Sequence, residues 1–205
     1  MTTISIIGSG NMAAAIGTRA TQHGHVVEII GRSADKARAL ADRIGHGAVV
    51  GTYGSRPAGD VVVIAVLFAD AVEVVAHHGD ALAGKTLIDI TNPFNDDASG
   101  VVTALGHSVS EQIAAVAPQD ARVVKAFNTI FGGVIAEDEP LDAFFAGDDP
   151  VAKAAVAEFL RSIGMRPRDV GGLRMAHTLE WAGILLVGAA NNGAGFGAAL
   201  QVEVR

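Results

Sequence analysis

A doubly wound α/β fold, with a mostly parallel sheet, helices on both faces and a small helical extension at the C-terminus, is what the 205-residue sequence predicts. Three observations point there. The chain opens as strand, tight turn and helix at Ile6-Ile7-Gly8-Ser9-Gly10-Asn11-Met12-Ala13. From there on, apolar runs of strand length alternate with segments of helical spacing, the pattern of right-handed βαβ units. The run from Asp60 to Leu67 is unbroken and β-branched, as a strand covered on both faces must be.

The elements follow in order. The first strand starts at Ile4, and the helix after the turn reaches about His23, carrying Met12, Ile16 and Ala20 at four-residue spacing. Gly17 lets that helix approach the sheet. Val26 to Ile30 is the second strand, and Ser33 caps a helix from Ala34 to Ile44 with Asp35 in its first turn. A short Val49-Val50 strand precedes the central run. Ala69 to His78 has helical spacing at Val72, Val75 and Ala76; Gly79 stops it, and His77 and His78 sit where positive charge is favoured. Lys85 to Thr91 is a strand running into Asn92-Pro93. Ser108 and Glu111 form a capping box for a short helix ending near Pro118, and Arg122 to Phe127 is the next strand. Ala143 to Ala146 is a further strand, after which Asp149 caps and Pro150 opens a helix reaching Ile163. Met165 to Val170 is the last strand. Leu173 to about Ala190 is a long apolar helix, and Asn191 to Gly197 begins a glycine-rich tail. We expect one domain over 1–205, with 171–205 as the C-terminal helix and tail.

Composition excludes several functions. Half of the residues are apolar and 18% are charged, a composition that buries a core. The longest apolar run, Ala182 to Ala190, falls far short of the ~20 residues that span a bilayer, and the N-terminus has no basic flank of a secretory signal. A cytoplasmic protein is expected. A net charge of -7 argues against a nucleic-acid surface, and the absence of cysteine removes disulfides and thiolate chemistry. The histidines at 23, 25, 46, 77, 78, 107 and 177 lack metal-ligand spacing and read mostly as surface residues, so no metal is expected.

Chemistry concentrates at the first turn. Gly8 permits the sharp bend, Gly10 leaves room for a pyrophosphate, and Ala13 is small enough for close packing of helix on strand. The unpaired N–H groups at the start of the helix beyond them favour an anion; Ser9 adds a hydroxyl. After the second strand an acidic residue would hold the ribose of NAD, but Gly31-Arg32-Ser33 stands there, with Lys36 one turn on. A guanidinium, a hydroxyl and an ammonium suit a 2′-phosphate, so the cofactor indicated is NADP(H). Ligands in such folds lie beyond the carboxyl ends of the strands, which adds the connections at Leu67, at Asn92-Pro93 and at Asn128. Asn92-Pro93 reads equally as a plain turn, and Phe127 as a core aromatic. Lys125 reads as a strand residue snorkelling to the edge. No catalytic acid or base is identifiable: His177 and Glu180 qualify by residue type alone and read as surface groups.

Ile7-Gly8-Ser9-Gly10-Asn11-Met12, Gly31-Arg32-Ser33, Asp89-Ile90-Thr91-Asn92-Pro93 and, most specifically, Val123-Val124-Lys125-Ala126-Phe127-Asn128-Thr129 resemble the NADP oxidoreductases dependent on coenzyme F420, a deazaflavin. The resemblance spans nearly the whole chain. It implies a Rossmann-type domain with NADP contacts at Gly8, Ser9, Gly10, Asn11, Met12, Arg32 and Ser33, and a deazaflavin near Pro93 and Asn128. Hydride transfer between the two coenzymes is the implied activity. A homodimer is implied too, in keeping with the apolar residues Leu179, Trp181, Ile184, Leu185 and Leu186 of the last helix. The opening turn is also similar to that of pyrroline-5-carboxylate reductases, although the helical domain of those enzymes has no counterpart here. An NADPH-dependent reductase of a small imine or carbonyl, and a non-catalytic NADP(H)-binding protein, are therefore the alternatives.

Overall fold

A computed structural model describes residues 2–203; residues 1, 204 and 205 of the expected domain lie outside the described residues. The sheet begins with β1 (Thr3–Ile7), β2 (Val26–Ile30), β3 (Val49–Val50) and β4 (Val61–Ile64). It continues with β5 (Thr86–Asp89), β6 (Arg122–Ala126), β7 (Asp142–Gly147) and β8 (Arg166–Asp169). Their spatial order is β3-β2-β1-β4-β5-β6-β7-β8, parallel as far as β6, with β7 antiparallel to β6 and β8 parallel to β7. This is the predicted doubly wound α/β class. Chain order reverses between β1 and β4, and a crevice opens at such a point.

Register carries the argument from sheet to site. Ile7 pairs with Ile30 on one side and Ile64 on the other, Ile64 with Asp89, and Asp89 with Lys125. One row of side chains thus crosses the carboxyl end of the sheet. One face packs Ile6, Val63, Ile88 and Val124 against α1 (Asn11–Gln22), α2 (Ala34–Ile44) and α6 (Pro150–Ser162). The other packs Ile7, Ile64, Leu87 and Val123 against α3 (Phe68–His78) and α4 (Val109–Val116).

The predicted caps form. Ser33 Oγ accepts the Lys36 N–H, Ser108 and Glu111 close their capping box, and Asp149 accepts the Ala152 N–H at 2.8 Å with Pro150 opening α6. Other elements differ from the sequence pattern. The β-branched run is strand only over Val61–Ile64; the Ala65 N–H still donates to the Ile7 carbonyl at 2.8 Å, and from there the chain borders the crevice. Phe127 leaves β6 with φ of +62°, a left-handed turn that hydrophobicity does not report. Helix α3 buries Ala71, Val74, Val75 and His78, whereas Ala76 of the expected stripe is exposed. A short helix, α5 (Gly132–Ala136), was not expected, since two glycines begin it. It packs on α1, where the buried Arg19 guanidinium donates to the carbonyls of Ile135, Glu139 and Ile163.

The apolar C-terminal helix starts as a 3₁₀ turn at Leu173–Met175, continues as α7 (Ala176–Ala189) and widens into a π turn at Ala190–Ala194. The tail folds back onto the body. Phe196 packs edge-on against Phe131 with ring centroids 5.1 Å apart, Ala199 bridges Ile130, and the Val202 N–H donates to Asp142 at 2.7 Å. Burial pushes the Asp142 carboxyl up, but Arg166 at 2.6 Å, Arg168 at 3.0 Å and that N–H outweigh it and hold the pKa at about 2.

Candidate active site

The crevice between the β1 and β4 ends is a cleft of about 530 Å3. It gathers the predicted residues Gly8, Ser9, Gly10, Asn11 and Met12 from the first turn, Arg32, Ser33 and Lys36 from the start of α2, and Leu67 and Asn92 from the later connections. Gly8 has φ of +138°, and a Cβ there would stand 2.0 Å from the Ala65 carbonyl oxygen, so only glycine lets β1 end against β4. A Cβ on Gly10 would meet nothing within 4 Å and would project into open cleft. Because Gly10 offers no side-chain cap, the first N–H groups of α1 remain open to an anion. The residues present therefore fit a pyrophosphate.

The far end of the cleft holds two groups to which the sequence assigns no role of their own, Asp70 lying in the connection that starts at Leu67. Asp70, from the first turn of α3, lies 3.0 Å from Arg32 Nη2 across the cleft. An acid absent after β2 is thus supplied by another element, which chain position alone does not reveal. Tyr53 lines the same end, stacked on His77 with centroids 4.6 Å apart and edge-on to His78 at 4.8 Å. Its loop has no periodicity to mark it. His78 is buried rather than a charged helix end: Gly54 N–H donates to its Nε2 at 3.2 Å and its Nδ1 faces the Val74 carbonyl at 2.8 Å. Burial holds its pKa below the ordinary histidine value, so the expected favourable positive charge is replaced by a neutral ring. His25 is buried as well, and burial lowers its pKa too.

Met12, Ile90 and Asn92 line the cleft and also a second cavity of about 180 Å3 beyond it. That cavity is walled by Phe94, Phe127, Ile130 and Phe131 on the sheet side and by Gly183, Leu186 and Val187 of α7. Asn128 lines it too, whereas Pro93 is buried beside it and borders neither space. Asn92 Nδ2 donates to the Asn128 carbonyl at 2.7 Å, and Asn128 Nδ2 donates to Asn92 Oδ1 at 3.0 Å and to the Leu179 carbonyl at 2.8 Å. Asn92-Pro93 is therefore a cross-linked turn with a fixed partner. No acid, base or hydroxyl side chain is among the residues lining this cavity.

Lys125 and Glu180 overturn their sequence expectations. Neither reaches the surface; both have no exposed side-chain area, and they meet Asp89 beneath the Thr91-Asn92 turn. The row Ile64–Asp89–Lys125 explains Lys125, because its position in a central strand directs it into packed structure. Burial raises the Glu180 pKa above the ordinary carboxylate value, against the opposing pull of Lys125. His177 is half-buried and its Nδ1 faces the Arg174 carbonyl at 2.7 Å, away from either cavity's lining.

A parallel sheet whose order reverses at an uncapped Gly-x-Gly helix start, with cations after the second strand, defines a Rossmann-type dinucleotide-binding protein. Residues 3–93 match the family model described as coenzyme F420-dependent NADP oxidoreductase. The chain's kinship is with the NADP-dependent oxidoreductases. The F420-dependent NADP reductase of Methanothermobacter thermautotrophicus is 28% identical over 202 residues, covering 90% of this chain and 87% of that protein. The metalloreductase STEAP3 of Rattus norvegicus is 30% identical over 182 residues, 86% of this chain, which spans only 35% of that protein's length. In fold the chain matches a candidate F420-dependent NADP reductase from Arthrobacter sp. FB24, with a TM-score of 0.85, 22% identity and full coverage of both chains. Among the described residues no helix is long and apolar enough to cross a membrane.

Proposed function

We propose that the chain transfers a hydride reversibly between NADP(H) and the deazaflavin coenzyme F420, as one NADP-binding domain acting in the cytoplasm. The observation that carries this reading is the second cavity's lining, which apart from Asn92 and Asn128 is apolar and aromatic and has no titratable side chain. Reducing an imine or a carbonyl calls for a proton delivered at nitrogen or oxygen, by a positioned acid. Hydride transfer from NADPH to the deazaflavin also takes up one proton, at a ring nitrogen away from the carbon that accepts the hydride, so at the reacting atoms it calls mainly for orientation and exclusion of water, which Phe94, Phe127 and Phe131 supply.

NADP(H), when bound, supplies or takes the hydride. The chain's part is to hold it. Gly8, Ser9 and Gly10 leave room for the pyrophosphate, and the Asn11 and Met12 N–H groups face it; Arg32, Ser33 and Lys36 take the 2′-phosphate; Leu67 borders the cleft. Asn92 and Asn128, with Pro93 stiffening the turn, form the boundary with the acceptor space. These contacts lie mostly far from the reacting ring and supply binding energy that orients it.

The test is anaerobic mixing of the protein with NADPH and oxidised F420, following loss of the deazaflavin absorbance. Turnover supports the reading. Tight NADPH binding without F420 reduction sinks it, and imines, carbonyls or no acceptor at all are then separated by trial of each. We also propose a homodimer. Leu179 and Leu186 are spent inside the protomer, but Trp181 and Leu185 of α7 are 43% and 66% exposed. Light scattering that gives a monomer mass at micromolar concentration would remove that proposal.

A further inference from the structure

Three fully buried charges meet under the turn that divides the two cavities. Lys125 Nζ lies 2.9 Å from Asp89 Oδ2 and 3.2 Å from Glu180 Oε1, and it also donates to the Thr91 carbonyl. Asp89 takes the Ser110 hydroxyl at 2.6 Å and the Thr91 N–H at 2.8 Å. Glu180 Oε1 takes the Val109 N–H at 3.0 Å, while Oε2 has no partner among the described residues. Removing such ions from water costs several kcal/mol each, and apolar side chains would hold a helix to a sheet without that cost.

What apolar packing would not do is fix direction. Thr91 is pinned at both its N–H and its carbonyl, so the chain delivers Asn92 at a set angle to Asn128. The same ammonium holds Glu180, one turn of α7 before Gly183. Gly183 is where α7 touches the turn: a Cβ there would stand 3.0 Å from Phe94 and 3.1 Å from Asn92. One lysine thereby sets both walls of the second cavity.

We propose that Lys125, with Asp89 and Glu180, is a positioning device for the acceptor cavity, setting the Asn92–Asn128 boundary and the seat of α7 while leaving dinucleotide binding to the first turn. The proposal takes the acceptor's identity from the preceding section; the geometry stands apart from it. Trp181, the only tryptophan in the sequence, adjoins Glu180 and reports the seat of α7.

The experiment compares Glu180→Met and the charge-balanced pair Lys125→Met with Asp89→Asn against Glu180→Gln, which keeps an acceptor oxygen. Read out are NADPH affinity by fluorescence titration, kcat/KM for F420, and the Trp181 emission maximum. Expected is a loss of about tenfold or more in kcat/KM for F420 with NADPH affinity changed less than about threefold, a shifted Trp181 emission, and near wild-type values for Glu180→Gln. Variants that melt cooperatively yet keep both F420 turnover and Trp181 emission overturn the proposal. If wild type itself does not reduce F420, the acceptor is wrong, and Trp181 emission together with NADPH affinity still decides the device. Should the stronger variants not fold, Ser110→Ala removes one bond to Asp89 without changing charge; about a threefold loss is expected, and no change in turnover or emission overturns the proposal.

Discussion

The two halves of the proposed active-site groove, one assigned to the dinucleotide and one to the acceptor, are built on opposite principles. The dinucleotide half is open and polar: Gly10 faces free space, Arg32 is 61% exposed, and its partner Asp70 can be exchanged for a phosphate. The acceptor half is a small, mostly apolar chamber whose two asparagines are cross-linked, with Asn128 Oδ1 left without a partner among the described residues, above three charges with no exposed surface. An open cationic end recognises a charged, flexible ligand by exchangeable contacts, whereas a closed chamber selects by shape. Perturbing each half should therefore affect different constants.

The largest effect is expected where shape alone is changed. Gly183 lines only the acceptor chamber, so Gly183→Val fills it and presses on Phe94 and Asn92 without touching the first turn. F420 turnover should fall by about a hundredfold or more, the scale of a 1 Å misplacement, with a much smaller loss of NADPH affinity passed on through Asn92, which also lines the cleft. A bulky residue at Asn92 would be the obvious choice from the sequence, but Asn92 lines both spaces and so does not separate them. Equal losses for both ligands in Gly183→Val would break the division into halves.

At the open end, Arg32→Ala removes one charge-assisted contact. Such contacts are worth ~1.5–3 kcal/mol, and the exposure of Arg32 and its pairing with Asp70 argue for the lower end, about a tenfold loss for NADP. NAD, which lacks the 2′-phosphate, should lose little. Isothermal titration with both cofactors checks this, and equal losses would show that Arg32 does not read the phosphate.

The same contrast governs what the sequence discloses. The dinucleotide half is legible because its parts are contiguous: residues 8–12 and 31–36 each form one turn, and turn chemistry is local. The acceptor half is assembled from the 90–94, 127–132 and 183–187 segments, which meet only through strand order and the seat of α7. Lys125 and Glu180 look like surface residues when counted by type. Only the cross-strand register, which places Lys125 beside Asp89, makes the triad visible. Tyr53, Asp70 and the unexpected α5 have the same cause, being placed by tertiary contacts and not by periodicity.

The smallest expected effect tests whether the open half has any rigid part. Gly54 N–H donates to His78 Nε2, so the ring is neutral with its proton on Nδ1, donated to Val74. Burial, chiefly, and the neighbouring His77 depress its pKa, while the Val74 carbonyl opposes them. For a base depressed in the folded state, the unfolded chain takes the proton first as pH falls below the ordinary value of 6.5. The stability contribution is thus fully present above 6.5 and is lost as pH falls towards the lower folded value. Protonation also puts an N–H where Gly54 needs an acceptor, which loosens the loop carrying Tyr53 at the cofactor's far end. NADP affinity should therefore fall by about threefold as pH is taken from roughly 7.5 to well below 6.5, beyond the change seen in His78→Gln. The cofactor's own 2′-phosphate titrates in the same range, with a pKa of about 6, but does so equally in both proteins. The difference between their pH profiles belongs to His78 alone, and superimposable profiles would show that Tyr53 is not held through this ring.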